Sequence, residues 1–122
     1  MAKALTIRAR REPGYVIVAV AGEVDIATVA RLRERLSVLA AAGVPLVADL
    51  DQVSFIDATG LGALVGAARE AAAHGTSLHV VCTRPQTRRL FRVTGLDRQI
   101  PLARDLAEVL AALQGGQDAR PS

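Results

Sequence analysis

The chain has 122 residues, of which 51% are hydrophobic and only 2% aromatic, so it can form one domain with a core of aliphatic side chains. Its single cysteine excludes a disulfide framework, and no apolar run approaches the roughly 18 residues of a membrane span. The net charge is +3, but the aromatic side chains that stack on nucleic-acid bases are scarce. We therefore expect a cytoplasmic protein with no direct nucleic-acid partner and no membrane partner.

The first third of the chain predicts two strands and a helix. Residues 5–7 alternate in polarity like a short strand, and the Pro-Gly pair within residues 10–14 predicts a turn. Residues 15–21 form a nearly continuous apolar run, which predicts a central strand buried on both faces. Either Asp25 or Thr28 is expected to cap the helix that follows. The core stripe predicted for this helix consists of Val29, Leu32, Leu36 and Leu39.

A strand-to-helix junction occupies the middle of the chain. Residues 46–50 predict a short buried strand, and residues 55–62 lead from it into a helix that ends near residue 75. Glycines are poor helix formers, so Gly60 and Gly62 in the first turn indicate the close approach of another backbone or a ligand. The core stripe predicted for this helix consists of Leu61, Leu64, Val65, Ala68 and Ala72.

The last third of the chain predicts shorter elements. These are a strand at 78–81, a helix at 86–93 that Pro85 begins and Gly95 ends, an edge segment at 100–102, a helix at 105–113 and a disordered polar tail at 114–122. The resulting order is β-β-α-β-α-β-α-(β)-α in one domain spanning residues 1–113. It predicts an α/β fold with a mixed four- to five-stranded sheet, covered by about four helices that lie mainly on one face.

Three acidic residues near strand ends resemble the acidic pocket of a phospho-accepting receiver domain. The three residues are Asp49, Asp51 and Asp57. A receiver pocket also needs a lysine on a later strand to hold the phosphoryl group. The only lysine of the chain is Lys3. We therefore interpret Asp49 and Asp51 as solvated loop residues.

The other reactive side chains form no pattern typical of catalysis or metal binding. His74 and His79 are too few for a metal site, and Cys82 has no evident base partner, which favours a buried thiol. The sequence contains no phosphate-binding loop and no nucleophile elbow. We therefore expect no metal, no cofactor and no enzymatic activity.

One short segment is rich in arginine, with five such residues between positions 84 and 98. We interpret it as a solvated helix face, with a site for an anionic partner as the alternative. The five residues are Arg84, Arg88, Arg89, Arg92 and Arg98.

The junction carries a recognisable motif. Residues 57–62, Asp-Ala-Thr-Gly-Leu-Gly, resemble the Asp-Ser-Ser/Thr-Gly-Leu-Gly signature of anti-sigma factor antagonists, the stand-alone STAS domains. The Gly-Glu-Val-Asp turn at residues 22–25 and the lead-in at residues 50–57 also resemble that family. So do residues 80–82 together with Arg-Leu-Phe and Thr-Gly-Leu within residues 89–96. Four matching segments in the same order identify the chain as a member of this family with the STAS fold.

The resemblance implies a mechanism of partner switching. Such an antagonist binds an anti-sigma factor, often a Ser/Thr protein kinase, and thereby frees a sigma factor for transcription. The kinase inactivates the antagonist by phosphorylating the serine directly after the motif's aspartate. Here that position is Ala58, which has no hydroxyl group to modify. An alternative within the family is a non-signalling STAS subunit of a transporter complex.

Three interpretations of Ala58 remain open. The protein is permanently active, or it is switched at Thr59 instead, or it has left the phospho-switch altogether. Thr59 is also predicted to cap the helix, with its hydroxyl accepting a backbone N–H.

The resemblance and the small residues of the helix together predict a partner-binding surface. We expect Asp25 to lie beside the junction, and Asp57 to complement the helix N-terminus. A stripe of small residues, Gly62, Gly66 and Ala67, runs along the helix and continues one turn on to Glu70. This stripe suggests that a partner packs along the helix. The predicted partner-binding residues are Asp25, Asp57, Ala58, Thr59, Gly60, Gly62 and Gly66.

Overall fold

The computed structural model describes residues 4–118 of the chain, and the side chains of residues 4–115. The strands are β1 (Thr6–Glu12), β2 (Tyr15–Val24), β3 (Leu46–Ile56), β4 (Leu78–Val81) and β5 (Leu102–Ala103). The helices are α1 (Val29–Ala40), α2 (Ala58–Ala73), α3 (Pro85–Thr94) and α4 (Leu106–Asp118), with a 3-10 turn at Leu96–Arg98. This order confirms the predicted one. No helix within residues 4–118 combines the length and apolar character needed to cross a membrane.

The five strands form one sheet in the order β1-β2-β3-β4-β5. β1 pairs with β2 in antiparallel fashion, and the other neighbouring strands are parallel. The carboxyl ends of β2, β3 and β4 therefore lie at the same edge of the sheet, where ligand and partner sites of open α/β sheets are commonly found.

Three helices cover one face of the sheet and one helix covers part of the other. Side chains of α1, α2 and α3 share a core with alternate residues of β2, β3 and β4, including Val18, Leu50 and Val80. On the opposite face, Val109 of α4 packs with Val47 and Val81. The prediction that the helices lie mainly on one face is therefore confirmed.

The strands differ from the prediction in length and burial. β1 extends to Glu12 because its pairing with β2 continues to Tyr15. β2 alternates between buried and partly exposed residues, so the prediction of burial on both faces is wrong. The reason is that α4 packs against β4 and β5, which leaves Ala19 of β2 exposed.

β3 is the longest strand, and its length corrects the interpretation of two acidic residues. It continues from the predicted end at residue 50 to Ile56, with two irregularities in its pairing to β2. Asp49 and Asp51 therefore lie within the strand, not in a solvated loop. The carboxylate of Asp51 accepts hydrogen bonds from the backbone N–H (2.6 Å) and hydroxyl (3.0 Å) of Thr83 after β4.

The helices begin and end near their predicted positions, with two corrections. In α2, Ala67 and Ala71 are buried where Ala68 and Ala72 were expected, because the helix packs along α1 as well as on the sheet. α4 continues past residue 113 to Asp118, since Leu113 still packs on the outer face. The rest of the predicted tail, residues 119–122, lies outside the described residues.

Candidate functional site

Asp57 joins β3 to α2 and caps the helix. Its backbone is extended, with φ −107° and ψ −172°, so that the side chain turns back over the first helical turn. Its Oδ1 atom accepts hydrogen bonds from the backbone N–H groups of Thr59 (3.0 Å) and Gly60 (3.2 Å). These two donors have no partner within the helix, so the carboxylate both satisfies them and complements the positive end of the helix dipole.

Thr59 supports this cap and does not form one itself. Its hydroxyl donates to Oδ1 of Asp57 at 2.5 Å, so the prediction that it accepts a backbone N–H is wrong. The reason is its position: Asp57 occupies the cap, and Thr59 is the second residue of the helix. The hydrogen bond from this hydroxyl, followed by those from the backbone N–H groups, lowers the pKa of Asp57 below its ordinary value.

Gly60 is buried beneath the junction, which corrects its predicted role as a partner contact. A Cβ atom at this position would lie 2.6 Å from Cγ1 of Ile56 and 2.7 Å from Cγ1 of Val24. The absence of a side chain therefore lets the start of α2 pack directly against the ends of β2 and β3. The glycine does allow a close approach, as predicted, but the approach is made by the protein's own core.

The loop after β2 lies beside the junction and is held by reciprocal hydrogen bonds. The backbone N–H of Asp57 donates to the carbonyl oxygen of Val24 at 3.2 Å. Oδ1 of Asp25 accepts from the N–H of Thr28 at 3.2 Å, and the N–H of Asp25 donates to Oγ1 of Thr28 at 3.1 Å. The two candidate caps thus bond to each other in the turn before α1, with the reciprocal pattern of a capping box. Thr28 is the N-cap residue of α1, but its side chain makes no capping hydrogen bond to the helix itself.

Two large apolar side chains at this edge were missed by the sequence analysis. Ile26 is 80% exposed and Phe55 is 51% exposed, and Ala58 is exposed as well. Ile26 follows the Gly-Glu-Val-Asp turn, and Phe55 pairs with Glu23 at the end of β3. The signal was their position at the two motif segments, because Phe55 lies within residues 50–57 and Ile26 directly follows residues 22–25. We call Ile26, Phe55 and Ala58 the junction surface.

A shallow groove of about 200 Å³ runs between α1 and α2. Gly62 and Gly66 are exposed on its α2 side, whereas Ala67 is buried and belongs to the core instead of the predicted surface stripe. Across the groove, Oγ of Ser37 donates to Oε1 of Glu70 at 3.2 Å. A Cβ atom on Gly66 would meet nothing within 4 Å, so packing within the chain does not require a glycine there.

The other reactive side chains are engaged within the fold. Cys82 is fully buried, and desolvation raises the pKa of its thiol, which opposes a nucleophilic role. Nε2 of His79 lies 2.9 Å from Oγ of Ser77, and Nδ1 of His74 lies 2.9 Å from the carbonyl oxygen of Glu70. Within the described residues, no three His, Cys, Asp or Glu side chains come together as a metal-binding group would.

Comparisons with known proteins agree with this architecture. The STAS domain family matches residues 6–109. The anti-sigma-B factor antagonist of Bacillus subtilis (strain 168) is 32% identical over 112 residues, covering 92% of this chain and 96% of that protein. The anti-sigma-F factor antagonist RsfB of Mycobacterium tuberculosis (strain ATCC 25618 / H37Rv) is 30% identical over 114 residues, covering 93% of each.

A solved structure gives the same result. An anti-sigma factor antagonist from Mycobacterium paratuberculosis superposes with a TM-score of 0.83 at 31% identity, covering 91% of this chain and 95% of that one. This chain belongs to the STAS domain family of anti-sigma factor antagonists.

Proposed function

We propose that this protein binds an anti-sigma factor through the junction surface and thereby releases a sigma factor for transcription. The observation that carries the proposal is the exposure of Ile26 and Phe55 beside a rigidly capped helix start. Exposed apolar side chains on a fixed backbone are typical anchors of a protein interface. The names of the relatives support the same partner class.

The remaining predicted residues take two roles in this proposal. Asp25 and Asp57 hold the two loops that carry the junction surface, through the hydrogen bonds described above. Gly66 leaves room for a partner side chain on the exposed side of α2, because a Cβ atom there would meet nothing within 4 Å. Gly62 is also exposed and extends the contact beside the guanidinium group of Arg33, which lies 3.6 Å from the position of its Cβ. Gly60 is left out of the contact because it is buried.

We further propose that the partner is a Ser/Thr kinase of the anti-sigma type and that this chain escapes its phospho-switch. Ala58 is exposed where the resembling motif carries a serine, and it offers no acceptor oxygen. Thr59 is a poor substitute because its hydroxyl donates to the Asp57 carboxylate. Phosphorylation of Thr59 would remove this hydrogen bond and would add about two negative charges beside the carboxylate of Asp57. The protein would then remain permanently active.

The test measures binding of this protein to the purified anti-sigma factors of its source organism, each also presented in complex with its sigma factor. Wild type should bind one of them and displace the sigma factor from the complex. Phe55→Ala and Ile26→Ala should each weaken this binding by about tenfold or more, since they remove interface anchors. The matched control is Val38→Ala, which truncates a 66% exposed side chain on α1.

Two results would contradict the proposal. If both junction variants bind as tightly as wild type while the complex still forms, the contact lies elsewhere on the molecule. If wild type binds none of the anti-sigma factors, the role as an antagonist is wrong, and the transporter-subunit alternative becomes the one to test.

A further inference from the structure

The positive charge of the molecule is concentrated on one short segment around α3. Residues 84–98 contain five arginines and one carboxylate, a net charge of +4, whereas the whole chain carries +3. The rest of the chain is therefore slightly negative. We call this set the arginine face; its members are Arg84, Arg88, Arg89, Arg92 and Arg98.

The packing of α3 turns these charges outward. Thr87 and Phe91 are buried on its inner side, and Leu90 packs partly against the core beside them. Arg89 and Arg92 are exposed. Arg88 is half-buried and donates from Nη1 to the carbonyl oxygen of Cys82 at 2.8 Å, which fixes its guanidinium group.

The arginines also border a cavity. Arg88 and Arg92 line a depression of about 270 Å³ together with Asp97 and Leu102. Two guanidinium groups outnumber the single carboxylate in this depression, and Leu102 adds an apolar surface. A partner segment with a carboxylate and a small apolar side chain fits this combination.

The arginine face is not neutralised by its own chain. Among the described side chains, ion pairs within 4.0 Å are found only between Arg10 and Glu12 and between Glu70 and His74. Arg88 and Arg92 are four residues apart on one helix, a spacing at which like charges repel. The close spacing of these like charges gives the arginine face a positive potential that an anionic partner would reduce.

The chemistry of the face favours an acidic protein over a nucleic acid or a membrane. Of the three aromatic residues of the chain, Phe91 is buried in α3, while Tyr15 and Phe55 lie on β2 and β3, so the face has no base-stacking platform. Residues 84–98 contain one large exposed apolar side chain, that of Val93, which is 74% exposed. A helix that lies on a membrane surface has a broad apolar side instead. A charged rim around one apolar group is typical of a protein contact.

We propose that the arginine face binds an acidic segment of the anti-sigma factor, separate from the junction surface, and accelerates association of the two proteins. The proposal rests on the proposed function. The position of the face supports a shared partner, because α3 begins at the sheet edge that carries the junction surface. There, Thr83 is tied to Asp51 of β3 by two hydrogen bonds.

The experiment compares association and dissociation rate constants with the purified anti-sigma factor. They are measured at ionic strengths of about 0.01 M and about 0.15 M, where the Debye length is about 30 Å and about 8 Å. Arg89→Glu/Arg92→Glu should lower the association rate constant by about tenfold or more at low salt and flatten its salt dependence. Arg89→Gln/Arg92→Gln should give a smaller effect in the same direction, which guards against misfolding of the reversed variant.

The matched control is Arg8→Glu/Arg11→Glu, which reverses two exposed charges on β1 and changes the net charge equally. Equal slowing by this control would show an effect of net charge alone and overturn the proposal. Unchanged association of the arginine-face variants would overturn it too. If Phe55→Ala still weakens binding in that case, the proposed function stands. Failure of wild type to bind overturns both.

Duplex DNA and vesicles of anionic phospholipid are titrated in parallel with the same variants. Loss of DNA or vesicle binding in the arginine-face variants, with unchanged association to the anti-sigma factor, would assign the face to that other partner and overturn the proposal. If DNA and vesicles bind weakly and equally to all variants, the arginine face does not serve those partners. The salt-dependent association rate with the anti-sigma factor then supports the proposal.

Discussion

At position 58 a methyl group stands where the resembling motif carries a hydroxymethyl group. The methyl group is exposed at the first residue of α2, directly after the Asp57 cap. Its size and neutrality resemble those of an unmodified serine, so a partner that covers the unmodified motif can also cover Ala58. Under the proposed function, loss of this one oxygen atom would remove the switch and leave the surface intact.

Restoring that oxygen should restore the switch. We expect Ala58→Ser to accept one phosphate from a cognate anti-sigma kinase and ATP, and wild type to accept little or none. The geometric reason is that a kinase aligns one acceptor oxygen with the γ-phosphate, and the Thr59 oxygen is displaced by one residue and bonded to Asp57. Intact mass and peptide mapping measure the result. Rapid stoichiometric phosphorylation of wild type at Thr59 would make that residue the switch.

We expect the carboxylate of Asp57 to serve both the stability of the domain and the binding of the partner. We expect Asp57→Ala and Asp25→Ala to weaken partner binding more than they lower the melting temperature, because each removes the hydrogen bonds of a loop beside the junction surface. Asp57→Asn is the control for the cap, since asparagine also accepts N–H groups at this position. Calorimetry and titration of the partner separate the two effects. Affinities equal to wild type would leave the aspartates a purely structural role.

At the scale of elements, α2 is positioned by one buried glycine and bordered by exposed ones. Gly60 lies where the helix touches β2 and β3, whereas Gly66 lies on the open side above the groove with α1. Two glycines of one helix are thus explained differently: Gly60 in the first turn allows close packing, and Gly66 in the third turn lies on an open surface.

A single methyl group should distinguish the two glycines. Gly60→Ala should destabilise the domain by about 1–3 kcal/mol, because its Cβ would overlap side-chain atoms of Ile56 and Val24. The matched control, Gly66→Ala, should stabilise it by roughly 0.5–1 kcal/mol through helix propensity. Urea denaturation measures both. Equal effects of the two substitutions would contradict this assignment.

A bulky substitution on the open side tests the surface itself. Gly66→Arg should leave the domain folded, since a Cβ atom there meets nothing within 4 Å, and should abolish binding of the anti-sigma factor by filling the groove. Circular dichroism and the binding assay measure the two properties. If the variant unfolds, Gly66 belongs to the core and the groove is not a contact surface.

At the scale of the whole molecule, the two faces of the sheet are unequally protected. One face of the sheet is covered by α1, α2 and α3, and the opposite face is covered in part by α4. His79 lies on β4 opposite Val47 and is 7% exposed, and its burial lowers the pKa of the imidazole below its ordinary value. The neutral ring is therefore the form that fits the fold.

Acidification should consequently weaken the domain. A depressed pKa in the folded state means that the unfolded chain binds more protons, so the contribution of His79 to stability is complete above pH 6.5 and declines as the pH falls below that value. His79→Gln, which can still bond to Ser77, should reduce this decline. Denaturant midpoints measured across that range for both proteins give the comparison. Identical pH profiles of the two proteins would show that protonation of His79 does not change the free energy of unfolding.

Local patterns determined much of this protein in advance. The order of strands and helices, the start of α3 at Pro85, its end at Gly95 in a left-handed conformation (φ 76°), and the junction motif all follow from short-range chemistry. Backbone dihedral preferences and hydrophobic periodicity act over a few residues, so a single sequence displays them directly.

Contacts between distant segments decided the rest. Residues 51–56 continue β3 because β2 pairs with them, and Gly60 is buried because Val24 lies against it. Ile26 and Phe55 are almost thirty positions apart in the chain, and only the parallel alignment of β2 and β3 brings their loops to one edge. Burial and proximity depend on which helices and strands pack against one another. That packing is determined by residues distributed over the whole chain, so no local sequence pattern reveals it.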